Sequence, residues 1–369
     1  MDCANFHLAR HLAGLAPVEL ITHRLEDSLA AQESVRCNTI PRPFGRVLFG
    51  AGRLRAAGER ASARILQLGG RFVANGGNCN AHDINWVHYV HAAYKPQQVA
   101  STLMRAKSVL NHRRSLQRER DAISLARYVV ANSEVTADHI EQRLGVPRER
   151  IKTVYYGSDP QRFAPTDGKR RAAARAELQA DSRPWLVFVG ALGDRRKGFD
   201  TLYDAWRVLA KDPAWDAVLV VVGHGAEAPL WKKRAEAEGL AGSIRFLGFR
   251  NDVPRVLAAA EGIVHPARYE AYGLGVHEAV CTGLPAIVTA NCGVTERLRQ
   301  KGVASIDDII LPQAGDSKRL GEAIRQWRAE LETWPERVRP VADRLRRYTW
   351  DDMASDFFAA VQRPVGGEA

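Results

Sequence analysis

Residues 262–289 read GIVHPARYEAYGLGVHEAVCTGLPAIVT, and this stretch decides how the rest of the chain is to be understood. Gly262–His265 is a short apolar run closed by Pro266, and Pro285–Thr289 is a second run rich in β-branched residues. Continuous apolar runs bounded by turn residues are what strands of a parallel sheet look like, because both faces of such a strand are covered. Between them, Val276, Ala279 and Val280 predict the buried face of a helix that starts near Tyr272 or Gly273 and stops at Gly283. Two glutamates frame this helix. Glu270 precedes it and Glu278 lies eight residues on. That spacing is roughly two helical turns, so both are expected to line one cleft.

The backbone at Gly273 and Gly275 allows close approach of a ligand, and the unpaired N–H groups of a first helical turn favour an anion such as phosphate. A carboxylate beside such a cradle repels phosphate but accepts hydrogen bonds from neutral hydroxyls, which sugars carry. A single glutamate in a loop or on a helix is most often only solvated. Strand end, glycine turn and two carboxylates together point to a sugar attached to a phosphate.

Upstream, Trp185–Gly190, Ala217–Gly223 and Ser243–Leu247 read as strands, with helices over Lys197–Ala210, Leu230–Glu238 and Val253–Ala260. This alternation is that of a doubly wound α/β domain, in which ligands sit beyond the C-terminal ends of the strands. Those ends are Gly190, Gly223, Gly248 and His265. Arg196 and Lys197 lie just before a helix N-terminus and suit a diphosphate, whereas Arg195 is read as a surface residue. The loop Gly248–Asp252, with Phe249 and Arg250, is expected to border a nucleobase mainly through its backbone. Downstream, a short helix is expected over Gly293–Arg299, a strand over Ile309–Pro312 and a helix over Ser317–Leu331. A basic segment follows from Arg337 to Arg347, and the chain closes on an apolar helical face over Tyr348–Val361.

The N-terminal half alternates as well. A helix is predicted over Asn5–Leu15, strands over Val18–Thr22, Ile84–Val90, Arg127–Asn132 and Ile151–Tyr155, and helices over Arg46–Ala63 and Ser133–Leu144. VANGGNCNAHD, from Val73, reads as a loop. His91 stands where a Rossmann-like sheet delivers side chains to its ligand, and either a site role or a structural one fits it. His88 is expected in packing. A strongly basic helix spans Gln98–Arg127, with Arg105, Lys107, His112, Arg113, Arg114, Arg118 and Arg120; it suits a solvated face, an anionic acceptor or a membrane surface. Tyr155–Gly168, rich in Gly, Pro and Asp, reads as the crossing between two domains.

The 369 residues carry a net charge of +11, with 46% hydrophobic and 26% charged side chains, ordinary for two domains that each bury a core. No apolar run is as long as a membrane span, and the N-terminus lacks the apolar core of a signal peptide, so a cytoplasmic location is expected. Five cysteines without a metal-type spacing are expected to be reduced and packed. The positive charge calls for an anionic partner: a sugar nucleotide, an anionic lipid surface or nucleic acid. With no nucleic-acid motif and no aromatics interleaved with the basic run, nucleic acid is not expected as a partner.

The spacing of Glu270 and Glu278 within YGLGVHEAVCTGLPAIV, together with the upstream VGALGDRRKG and VVGHG, resembles glycosyltransferase family 4 (group 1 type), the retaining enzymes of the GT-B fold, over nearly the whole chain. The resemblance implies an α/β protein of two Rossmann-like doubly wound domains facing a cleft. Residues 1–165, joined by a crossing helix over 350–369, would form the acceptor side, and residues 166–349 the nucleotide-sugar side. It implies that Glu270 contacts the donor sugar, Glu278 the ribose and Lys197 a phosphate, with His91 near the transferred hexose. Gly190, Arg196, Gly223, Phe249, Arg250, Tyr272, Gly273 and Leu274 would complete the donor site. Many relatives have an arginine where this chain has Ala191, and Arg196 is expected to substitute. Relatives also open with a strand before the first helix; it is missing here, and a late-assigned start is the expectation.

The implied reaction is metal-independent transfer of a hexose from a UDP- or GDP-linked donor to a glycan, lipid or small-molecule acceptor, with no cofactor beyond the donor and peripheral contact with an anionic membrane. A non-catalytic sugar-nucleotide binder and a basic nucleic-acid-binding protein are the alternatives. No lysine context suggests a pyridoxal-dependent phosphorylase.

Overall fold

The structure, a computed structural model, describes residues 3–42, 47–97, 102–193, 195–299, 309–311 and 313–362. The chain divides into two units, one built from segments within Met1–Lys95, Lys107–Gly157 and Tyr348–Ala369, the other chiefly from Ser158–Arg347. The division at Gly157 falls inside the Tyr155–Gly168 stretch.

The first unit runs α1 (Cys3–Ala13), β1 (Val18–Thr22), α2 (Asp27–Ala30), β2 (Val35–Thr39), α3 (Val47–Gln67), β3 (Val73–Asn75), β4 (Ile84–Val87), α4 (Thr102–Leu125), β5 (Tyr128–Ala131), α5 (Glu134–Leu144) and β6 (Ile151–Thr153). All pairings are parallel, but the strands form two sheets: β1 with β2, and β3-β4-β5-β6. Among the described residues no strand joins β1 to β3. Ser133 caps α5 through its hydroxyl, which accepts the Thr136 N–H at 3.0 Å, and Gly145 ends the helix in the left-handed region.

The second unit runs α6 (Gly168–Glu177), β7 (Trp185–Val189), α7 (Phe199–Leu209), β8 (Val218–Val222), α8 (Ala228–Ala237), β9 (Ile244–Gly248), α9 (Val253–Ala258), β10 (Gly262–His265), α10 (Leu274–Cys281), β11 (Ala286–Thr289), α11 (Thr295–Leu298), β12 (Ile310–Leu311), α12 (Ser317–Ala329) and α13 (Trp334–Arg347). Its six strands lie in one parallel sheet of order β12-β11-β10-β7-β8-β9, with β7 and β10 at its centre, so that their C-terminal ends are neighbours. The central strands β7, β8 and β10 are almost wholly buried. α14 (Trp350–Gln362) returns to the first unit, where Phe357 packs against Trp86 at 4.9 Å between ring centres.

One expectation needs correction, and two further elements carry no clear sequence signal. Val73–Asn75 is a strand rather than loop, because its backbone pairs with β4 despite the glycines and asparagines that follow. Val35–Thr39 is an edge strand with mostly exposed side chains, and so has no apolar run to mark it. The basic segment Arg337–Arg347 is helical, within α13. Trp334, Val338, Val341 and Leu345 form its buried stripe and Pro340 lies inside it. A proline in a helix interior costs about 3 kcal/mol. Burying four large apolar side chains returns roughly 1.5–3 kcal/mol each, so the stripe wins.

Among the described residues, which include all five cysteines, no disulfide forms; Cys79, Cys281 and Cys292 are buried. No helix among the described residues is long and apolar enough to cross a membrane. Within the basic run, the side chains of Arg105 and Lys107 lie outside the described residues, as does Pro312 of the expected strand.

Candidate functional site

The strand ends of the second unit are built for backbone contact. Gly223, at φ 139°, sits so close to the neighbouring strand end that a Cβ would lie 1.9 Å from the Gly190 carbonyl oxygen, a position only glycine can hold. At Gly190 itself, a Cβ would press on Phe188 and Lys197 at 3.0–3.3 Å. Leu192 donates its backbone N–H to the His224 carbonyl at 3.0 Å, which joins the two loops.

A second pair of loops is joined just as closely. The Arg268 N–H donates to the Arg196 carbonyl at 2.8 Å, and the Arg268 guanidinium grips Asp200 at 2.7 and 2.8 Å. These bonds bring the residues before α7 against those after β10. Lys197 thereby meets Glu270 in a direct ion pair. Arg196 approaches the same carboxylate at 3.5 Å while donating to the Tyr269 carbonyl at 3.2 Å. His265 Nε2 lies 3.2 Å from that carboxylate. Burial, then Lys197 and Arg196, hold the His265 imidazole neutral, well below the usual histidine range. With its ring neutral, Nε2 carries the proton and donates to the Glu270 carboxylate. Two cations against one carboxylate leave one net positive charge at the strand ends.

The turn after Glu270 is fixed from the other side. Gly293 and Val294 donate their N–H groups to the carbonyls of Glu270 and Tyr272 at 3.2 and 2.7 Å. Gly273, at φ 102°, then starts α10, and Leu274 is its first residue. The Tyr272 side chain is buried and its hydroxyl contacts His277 Nδ1 at 2.6 Å, which leaves its backbone as the part that faces the turn.

The two motif glutamates do not share partners. The Glu278 carboxylate makes no hydrogen bond or ion pair among the described residues; Arg162 and Asp159 are its charged neighbours. Burial pushes its carboxyl up to about 7, against the pull of Arg162.

Of the basic candidates, Arg195 lies near Glu227 and Asp200, at 3.7 and 3.9 Å. Arg250 is held by Asp252 through two bonds at 2.7 and 2.6 Å, so its charge is already matched. Phe249 is 66% exposed, edge-on to His224 at 5.5 Å, as a platform for a flat ring would be.

In the first unit, His91 opens a 3₁₀ turn over His91–Ala93 after β4. Its N–H and that of Ala92 donate to the two carboxylate oxygens of Glu119, at 2.7 and 3.1 Å. Burial and the nearby His112 hold the His91 imidazole below the usual range. Glu119 is 1% exposed, and burial raises its carboxyl to about 7 although both N–H groups favour the charged form. His88 is structural: its ring contacts Tyr156, Asn5 and Asn75. Sequence reasoning placed His265 only as a strand end and missed Glu119, His277 and Ser158. Of these three, only Glu119 left a trace, as an acid placed between Arg118 and Arg120.

Residues 5–162 match the model of "Glycosyltransferase Family 4" and residues 183–329 that of "Glycosyl transferases group 1". The chain is 30% identical over 161 residues to the lipopolysaccharide glucosyltransferase WaaG of Escherichia coli (strain K12), covering 44% of this chain and 42% of that one. It is 29% identical over 268 residues to the D-inositol 3-phosphate glycosyltransferase of Salinispora tropica, covering 69% and 55%. The chain thus spans about half the length of these two curated relatives. Among solved structures, a crystal structure of WaaG superposes with a TM-score of 0.72 at 20% identity, over 99% of this chain and 95% of that one. The Anabaena protein Alr3699/HepE, in complex with UDP and glucose, superposes with a TM-score of 0.67 at 18% identity, over 97% and 95%.

Proposed function

We propose, from the premise that the chain belongs to glycosyltransferase family 4 and has the GT-B fold, that it moves a hexose from a nucleoside diphosphate sugar to a hydroxyl acceptor with retention of configuration. The contrast between the two motif glutamates carries this reading. Glu270 is held among Lys197, Arg196 and His265, whereas Glu278 is a carboxyl without a partner, open to ribose hydroxyls.

In the proposed reaction an acceptor oxygen bonds to the anomeric carbon as the bond from that carbon to the phosphate oxygen breaks. The electron pair leaves with the diphosphate, and the acceptor proton passes to the departing oxygen. Lys197, Arg196 and the first turn of α10 meet the charge that grows there, without a metal ion; Glu270 orients the hexose through its hydroxyls. Gly190 and Gly223 let the backbone approach the donor, and Phe249 faces the base. His91 is assigned to the hexose and acceptor. UDP-glucose is the donor to test first, because the solved relative binds UDP and glucose and the curated one is a glucosyltransferase. A glycan or lipid-linked acceptor and contact with an anionic membrane at the cytoplasmic face fit the +11 charge.

The test is a panel of UDP- and GDP-hexoses with a chelator present, following nucleoside diphosphate release and the anomeric configuration of the product by NMR. One donor is expected to turn over. Lys197→Ala should slow it about 10²–10³-fold, the usual effect of removing a donor to a developing oxyanion. Glu270→Gln should stop turnover while UDP still binds. Failure of every nucleotide sugar to bind would overturn the reading. The divided sheet of the first unit favours a second reading, binding without transfer, which requires donor binding with neither transfer nor hydrolysis.

A further inference from the structure

Three buried side chains of the second unit form a hydrogen-bonded line that the proposed chemistry does not use. Ser158 Oγ donates to the Leu345 carbonyl at 2.7 Å and lies 2.6 Å from His277 Nε2; His277 Nδ1 lies 2.6 Å from the Tyr272 hydroxyl. The proton positions follow from the far end. A carbonyl only accepts, so the one proton of Ser158 is committed to Leu345 and Nε2 must bring its own. The imidazole is neutral, pushed down to about 3 by burial and then by Arg297, so Nδ1 is bare and accepts from Tyr272. One arrangement of protons satisfies the whole line.

We infer that Ser158 and His277 are positioning residues, which hold Tyr272 and with it the turn where α10 begins. Tyr272 is followed directly by Gly273, whose left-handed φ sets the direction of the first turn of α10. The other end of the line is anchored twice. Ser158 is the first residue of the chain segment that enters this unit, and Leu345 lies in the last turn of α13, two residues before that segment ends. Arg346 adds a bond from the same turn to the carbonyl of Cys281, the last residue of α10, at 2.7 Å. The turn is therefore registered against both ends of the Ser158–Arg347 segment. An apolar core would have packed these positions without desolvating three polar groups, and a fully satisfied buried line specifies one geometry in return.

This inference rests on the proposal that the turn faces a sugar nucleotide, and the experiment separates the two. UDP-glucose and UDP are titrated calorimetrically into the wild type, Ser158→Ala, Tyr272→Phe and the double variant, well below their melting temperatures. Tyr272→Phe keeps the ring, and Ser158→Ala removes only a hydroxyl remote from the ligand in the line. Each single change is expected to weaken UDP-glucose binding about three- to tenfold, and the double variant no more than the worse single, because both break one line. Wild-type affinity in folded Ser158→Ala, whatever its melting temperature, or additive losses in the double variant would overturn the inference while leaving the proposed function standing. No binding of either ligand by the wild type would overturn both.

Discussion

Glu119 and Glu278 are two carboxyls that burial pushes to about 7, one in each unit, and they differ in what they touch. The Glu119 carboxylate accepts two backbone N–H groups from the His91 turn, whereas that of Glu278 has neither a hydrogen bond nor an ion pair among the described residues. A buried acid that is fully satisfied holds structure. One that is only partly covered and has no protein partner raises the question of what completes it, and a ligand rich in hydroxyls would do so.

The largest effect is expected at Glu119. Truncation in Glu119→Ala leaves two N–H groups without an acceptor, at about 1–3 kcal/mol each. For a unit of this size the melting temperature should fall by roughly 5–15 °C. Calorimetry checks this, with UDP binding unchanged; an unaltered melting temperature would remove Glu119 from its structural role. The pH dependence carries the sign of a raised carboxyl. The folded chain holds this proton more tightly than the unfolded one, so Glu119 stabilises below its ordinary 4.5, and that contribution is lost as pH rises toward about 7.

Glu278→Gln should do the reverse. Its stability at pH 8 should equal or exceed that of the wild type, since an unpaired carboxylate is removed, while UDP binds about tenfold more weakly because a charged acceptor of two ribose hydroxyls is lost. Loss of stability without loss of affinity would make the two carboxyls alike and end the distinction.

The sheet of the second unit was legible because β7, β8 and β10 are covered on both faces and so appear as unbroken apolar runs. Lys197 and Glu270 could be singled out separately, from their places at strand ends. Their direct pairing could not, since it depends on the bonds of Arg268 to Asp200 and to the Arg196 carbonyl, far apart in sequence. At Tyr272 the sequence shows the glycine turn but not the partner: the histidine five residues later draws its hydroxyl inward. β2 and α13 escaped notice because an exposed edge strand has no apolar pattern, and because a proline and clustered arginines hide a helical stripe.

The smallest effect is the most discriminating. If Glu278 accepts ribose hydroxyls, UDP-glucose binding favours its charged form, so affinity should rise as pH climbs from 6 to 8 through its value near 7. The gain should be about three- to fivefold, the difference between a charged and a neutral acceptor. The phosphates of UDP-glucose do not titrate near neutrality, and His265 and His277 stay neutral across this window because burial holds both far below it. Arg162, which pulls the Glu278 carboxyl down, and Asp159, which pushes it up, are its charged neighbours. Isothermal titration of the wild type and Glu278→Gln at each pH reads the effect, with a rising profile expected in the first and a flat one in the second. Parallel profiles would mean that another group titrates, and the unsatisfied carboxyl would then have no claim on the ribose.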